Sequence, residues 1–221
     1  MDVKKKNTKT ALLIAVLLVL VALCLLVAFV LIPGGKYKAA EELLSSGQYD
    51  EAAAAFAELA PFRDSEERAN EALYAKAESL LTAGEYDAAE AAFAALVPYA
   101  DSADRVLDVR YAYAAELMAS GDYEAAIEAF AALEGHRDSA EQIALCETAI
   151  LDEAYDEAAA LMASGDYEAA IEAFTALNGH RDWDEQIAIC EADILDGAYD
   201  EAAALMVAGD YEAAIAAFAA L

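Results

Sequence analysis

The sequence predicts an all-α fold: a single N-terminal transmembrane helix followed by an α-solenoid of about five helix-turn-helix repeats. Three observations predict it. Residues 11–32, "ALLIAVLLVLVALCLLVAFVLI", contain no charge. Alanine, the best helix former, supplies 59 of 221 residues, and the only prolines are Pro33, Pro61 and Pro98. Finally, Gly47, Gly84, Gly121, Gly165 and Gly209 are spaced 37, 37, 44 and 44 apart, and each stands in the same residue pattern.

The apolar run comes first. Twenty-two residues at ~1.5 Å each reach about 33 Å, enough to cross a hydrocarbon core of about 30 Å. A cleaved signal peptide has a shorter apolar region, followed by a small-x-small site. Here "IPGGKYK" follows, so the run reads as an uncleaved signal anchor. "VALC" at 21–24 is a poor lipidation box, because Leu23 precedes the cysteine and apolar residues continue past it. Four lysines (Lys4, Lys5, Lys6, Lys9) precede the span, and Lys36 and Lys38 follow it. That bias puts the N-terminus in the cytoplasm and the remainder outside the cell membrane. The expected organisation is a basic cytoplasmic tail at 1–10, a span at 11–33 and a repeat domain at 34–221.

The repeat is the next element. Ten positions before each reference glycine stands a tyrosine: Tyr37, Tyr74, Tyr111, Tyr155, Tyr199. Alanine stands seven before and leucine four before, as in Ala114 and Leu117. These steps of three draw one stripe on a helix. Glycine ends that helix, since it enters the left-handed conformation without strain. Tyrosine, alanine, phenylalanine and leucine follow at +2, +5, +9 and +12, as in Tyr123, Ala126, Phe130 and Leu133. They form the stripe of a second, antiparallel helix. "LMASGDYEAAIEAF" occurs letter for letter at 117–130 and 161–174, which points to recent duplication of a stacking joint.

Each repeat closes on a breaker, Pro61, Pro98, Gly135 or Gly179. Three residues later an aspartate (Asp64, Asp101, Asp138, Asp182) is expected to cap the next helix, with an acid three residues further on at capping-box spacing. The seven extra residues of the longer period fall between this aspartate and the tyrosine. Seven residues are about two turns, a drift of only ~20°. The first helix should therefore lengthen from roughly 20 to roughly 27 residues without turning its buried stripe away, and project as a ridge.

Charge and chemistry limit the function. Residues 34–221 hold nine basic and 41 acidic side chains, which argues against nucleic-acid binding. There is no phosphate-cradling glycine loop, no H-E-x-x-H, no C-x-x-C and no nucleophile elbow. No catalytic residue, metal site or cofactor is expected. His136 and His180 occupy the boundary position held by Phe62 and Tyr99, and read as rings packed at a helix junction. Cys146 and Cys190 read as buried free thiols.

The pattern Ala114, Gly121, Tyr123, Ala126, Phe130, recurring five times over 34–221, resembles the tetratricopeptide repeat (TPR). The whole chain resembles membrane-anchored bacterial proteins of that type. The resemblance implies stacked helix pairs with a peptide-binding groove lined by first-helix positions. Carried onto this chain, those positions are the ladder Tyr74, Tyr111, Tyr155 and Tyr199, then Glu78, then Met118 and Met162, edged one turn earlier by Asp108, Asp152 and Asp196. A tyrosine ladder edged with acids would suit an extended basic or amide-rich peptide, although stacking alone would also repeat a tyrosine at one phase.

The expected function is a membrane-anchored, extracytoplasmic, non-catalytic scaffold for a protein or peptide partner. In an alternative, the array is the N-terminal spacer of a larger envelope protein whose effector domain lies beyond residue 221. No capping helix follows the last repeat, and an uncapped stack end also invites self-association.

Overall fold

The computed structural model describes residues 2–221, with side chains from Leu13 onward. The lysines of the expected cytoplasmic tail, 1–10, lie outside the described side chains. Among the described residues all regular structure is helical. Helix α1 (Asp2–Leu26) passes through a π-helical turn (Val27–Leu31) into α2 (Ile32–Ser45). The backbone is therefore helical across residues 33 and 34. The π turn explains why. Proline lacks an N–H and its ring crowds the carbonyl four residues back. One turn before Pro33, the Ile32 N–H reaches back five residues to the Val27 carbonyl. That wider turn carries the helix past Pro33. Leu13–Ser45 is long and apolar enough to cross a membrane, and its apolar window is wholly exposed.

The helix pairs follow in order: α2 with α3 (Tyr49–Ala57), α4 (Ser65–Thr82) with α5 (Tyr86–Leu96), and α6 (Ser102–Ala119) with α7 (Tyr123–Ala131). Then come α8 (Ser139–Ser164) with α9 (Tyr167–Leu177), and α10 (Trp183–Ala208) with α11 (Tyr211–Ala220). Each first helix ends as the sequence predicts. Gly47, Gly84, Gly121, Gly165 and Gly209 all have φ between 76° and 85°. The next amide bonds back to the conserved-phase leucine, as in Gln48 N to Leu43 O at 3.0 Å and Asp166 N to Leu161 O at 3.1 Å. This is the Schellman closure, which satisfies carbonyls the helix end would otherwise orphan. The first helices α4 and α6 have 18 residues, and α8 and α10 have 26, so the long period lengthens this helix.

The chain divides into two compact units, Met1–Tyr113 and Ala114–Leu221. The division falls within α6. In the first unit, α2 packs on α3, α3 on α4 and α4 on α5. Its cores gather Ala40, Ala52 and Phe56 with Ala72, and Ala77, Ala89 and Phe93 with Val109. In the second unit, α7 packs on α8, α8 on α9, α9 on α10 and α10 on α11. Its core gathers Ala158, Ala170 and Phe174 with Cys190.

These lists show what the inserted turns do. Ala72, Val109, Cys146 and Cys190 occupy one register position, 25 after the reference glycine, and none is more than 1% exposed. The N-terminal half of each first helix lies over the phenylalanine of the preceding repeat. The C-terminal half, from the tyrosine on, packs with its own second helix. In the 37-residue repeats only one residue separates Ala72 from Tyr74, whereas the 44-residue repeats put Glu147–Ala154 between Cys146 and Tyr155. The insertion separates the two duties without disturbing either.

Candidate binding face

The ladder tyrosines are built into the joints between repeats. In the first unit the Tyr37 hydroxyl donates to Asp64 Oδ1 and the Tyr74 hydroxyl to Asp101 Oδ1, each at 2.6 Å. In the second, Tyr155 donates to Asp182 Oδ1 at 2.6 Å. Each bond spans 27 residues and ties one repeat to the start of the next. Each ring also stands edge-on to the phenylalanine of its own repeat: Tyr37–Phe56, Tyr74–Phe93, Tyr155–Phe174 and Tyr199–Phe218, with centroids 5.2–5.3 Å apart. Such edge contacts add about 0.5–1.5 kcal/mol beyond area burial.

This corrects the capping expectation. Asp64, Asp138 and Asp182 do sit at the N-cap, but none makes a side-chain bond to a first-turn amide. In Asp64 and Asp182 one carboxylate oxygen takes the tyrosine hydroxyl instead, and Gln186 donates to the other oxygen of Asp182 at 2.9 Å. The hydrogen bond from Tyr37 holds the Asp64 carboxyl below its ordinary range, and that from Tyr155 does the same for Asp182. Reciprocally, Asp64 raises the Tyr37 hydroxyl and Asp182 raises that of Tyr155. Burial first, and then the Asp101 bond, push Tyr74 up to about 12. True aspartate caps occur on the second helices, where Asp122, Asp166 and Asp210 accept from Ala125, Ala169 and Ala213.

Two further joint residues carried weaker signals in the sequence. Ser65, Ser102 and Ser139 are at most 1% exposed. Ser65 and Ser102 turn their hydroxyls back onto the carbonyls of Phe62 and Tyr99, at 2.5 and 2.6 Å. The residue before each aspartate, Arg63, Ala100, Arg137 or Arg181, is left-handed, with φ of 48–53°. That turn swings the Arg63 and Arg181 guanidiniums over the rings of Tyr37 and Tyr155, at 5.1 and 4.7 Å. Recurrence at fixed phase was the available clue to both.

The candidate acids are engaged as well. Arg105 bridges Glu78 of one repeat and Asp108 of the next, the latter at 2.9 Å. Arg68, in the same register, bridges Glu41 and Glu71. In the second unit that register holds Gln142 and Gln186. There Asp152 meets His180 Nε2 and the Arg181 guanidinium, both at 2.8 Å. His180 is thus a junction residue with an acidic partner, and no cluster among the described residues has metal-ligand geometry. Asp196 and Tyr199 are exposed, Tyr199 by 55%, while Tyr111, Met118 and Met162 are half-buried. Cys146 and Cys190 are free and fully buried, and burial raises both thiols.

The first unit also carries an open groove of about 690 Å³, lined by Tyr49, Glu71, Tyr74, Glu78, Ser79 and Thr82 among others. Tyr74 and Glu78 are candidate site residues that the structure brings to one cavity. The remaining candidates in this unit, Tyr111 and Asp108, do not line it.

No curated protein matches the chain. A family model described as tetratricopeptide repeat matches residues 37–105, from the first ladder tyrosine to the Arg105 clasp. The helix pairs and their joints agree with that match, which marks residues 37–105 as a tetratricopeptide-repeat region.

Proposed function

We propose that this protein is a membrane-anchored, non-catalytic scaffold whose repeats stand outside the cytoplasm and hold a peptide segment of another protein. Tetratricopeptide repeats are in general protein-interaction modules, so a protein partner is the expectation for the chain as a whole. The observation that carries the finer reading is the groove of about 690 Å³ on the first unit. Its wall joins aromatic faces (Tyr49, Tyr74) to carboxylates (Glu71, Glu78) and small hydroxyls (Ser79, Thr82). Such a wall can stack on apolar side chains, accept from backbone amides and attract cations. The apolar helix supports the anchor, and the lysine bias of its flanks supports the orientation.

A photo-crosslinking residue at Thr82, an exposed position of the groove, tests this in intact cells. The expected result is a discrete polypeptide adduct that disappears when Glu78→Arg is added. An adduct unchanged by Glu78→Arg, or none at all, argues against the groove as the site.

A further inference from the structure

We propose that the first loop between repeats, residues 58–63, is a lipid-contact surface that seats the first repeat in the headgroup layer of the bilayer. The inference rests on the membrane-anchor reading above. A cavity of about 460 Å³ lies where the apolar helix meets that repeat. Phe29, Ile32 and Lys36 line it from the helix, and Glu58, Pro61 and Phe62 line it from the loop. Phe29 and Ile32 belong to the end of the charge-free run and are 68% and 54% exposed. In a bilayer their surroundings are acyl chains. A loop that walls the same cavity is then held at the same depth, to within the width of the cavity.

Helix geometry makes the placement quantitative. The helix continues without a break from Ile32 into α2, so Lys36 stands about 6 Å beyond Ile32 at ~1.5 Å per residue. The headgroup region is about 5–8 Å thick on each side, taking ~30 Å of core from a total of ~40–45 Å. Lys36 therefore reaches the phosphates, and no flexible linker lets the first repeat move away from them. The Arg63 guanidinium lies 5.1 Å from the Phe62 ring centroid, so a second cation stands beside the loop. Apolar rings flanked by cations are the composition that settles at a bilayer interface.

The register provides an independent observation. The four equivalent loops read Ala60-Pro61-Phe62, Val97-Pro98-Tyr99, Glu134-Gly135-His136 and Asn178-Gly179-His180. Within the first unit, the loop beside the span carries the wholly apolar Ala60-Pro61-Phe62, whereas the next loop ends on the hydroxyl-bearing Tyr99. The occupant is therefore phospholipid, its upper acyl segments against Pro61 and Phe62 and its phosphate toward Lys36 and Arg63.

Tryptophan quenching in vesicles tests the placement. The full chain is reconstituted with phosphatidylcholine and phosphatidylglycerol brominated either near the headgroup or near the chain end. Trp183→Ser removes the native tryptophan and restores the residue three other repeats carry at that position. Single tryptophans are then placed at Leu20, Phe62 or, as an exposed alternative that leaves the core untouched, Ala60. The Leu20→Trp probe should lose emission mainly to chain-end bromines. The Phe62→Trp and Ala60→Trp probes should lose it mainly to headgroup-proximal bromines. Quenching at Leu20 with none at Phe62 or Ala60 overturns the loop placement and leaves the anchor standing. No quenching at any of the three overturns both.

Discussion

The joint between the first two described repeats and the joint between the last two use the same bond but balance it differently. Tyr37 donates to Asp64 and Tyr155 donates to Asp182, each at 2.6 Å. Around the first, Arg68 reaches across to Glu41 and Glu71. Around the second, Gln186 replaces that arginine, and His180 and Arg181 serve Asp152 instead. The bond that fixes register is kept, while the counter-charges are reassigned. In a chain of net charge −29, the few cations are concentrated where acids of successive repeats would otherwise repel one another. The acids that line the first unit's groove take part in this work, Glu71 with Arg68 and Glu78 with Arg105.

The largest expected effect tests whether the two joints share one core. Phe93 and Phe174 are both fully buried against a tyrosine edge. Phe93→Ala and Phe174→Ala should each cost about 3–5 kcal/mol. Chemical denaturation of the full chain in detergent, followed by circular dichroism, reads this. A loss below about 1 kcal/mol at Phe174 alone would show that the long first helix relaxes around the cavity and that the joints are not equivalent.

A smaller effect isolates the tyrosine–aspartate bond. Tyr74→Phe keeps the ring on Phe93 and removes only the hydroxyl. The bond is exposed, so its loss should cost no more than about 1 kcal/mol. The pH profile is the sharper readout. Tyr74 is raised from 10.0 to about 12 in the folded chain. Its contribution is fully present below pH 10.0 and is lost as pH rises toward about 12, because the unfolded chain releases the proton first. Stability should fall across that window in the wild type and fall less in Tyr74→Phe. At the acid end the sign reverses. Asp64 and Asp182 lie below their ordinary 3.8, so their contribution holds above that value and is lost as pH drops through the folded one.

Much of this architecture is legible in the residues. Period-three stripes, the reference glycines and the constant phase of Phe56, Phe93, Phe130 and Phe174 define the helix pairs and their buried face. The seven-residue difference between periods locates the insertion. Three features were not legible, for physical reasons. A proline–glycine run normally ends a helix, and only a π turn upstream lets α2 continue through Pro33. Aspartate before a helix reads as a cap, because local spacing does not reveal a tyrosine 27 residues away competing for the same oxygen. Glu78 and Asp152 read as unpaired acids, because the arginines that meet them, Arg105 and Arg181, lie in the next repeat. Long-range pairing is invisible to local rules, although its recurrence at fixed register leaves a trace.

The smallest effect concerns the left-handed residue before each aspartate. Ala100 adopts φ 48° and Arg181 φ 50° at the same register position. An L-residue there costs roughly 1–2 kcal/mol, which glycine avoids at an entropic cost of about 0.5–1 kcal/mol in the unfolded chain. Ala100→Gly should therefore raise stability by about 0.5 kcal/mol, the balance of those two terms. Arg181→Gly gives the same backbone relief but removes a guanidinium that lies over the Tyr155 ring at 4.7 Å and pairs with Asp152 at 2.8 Å. It should gain nothing or lose stability. Thermal melts of the two variants, measured side by side, separate the conformation of the loop from the charge it presents. If both rise equally, Arg181 contributes only its backbone. If Ala100→Gly does not rise at all, the left-handed turn is unstrained here, and arginine recurs at this position for its charge alone.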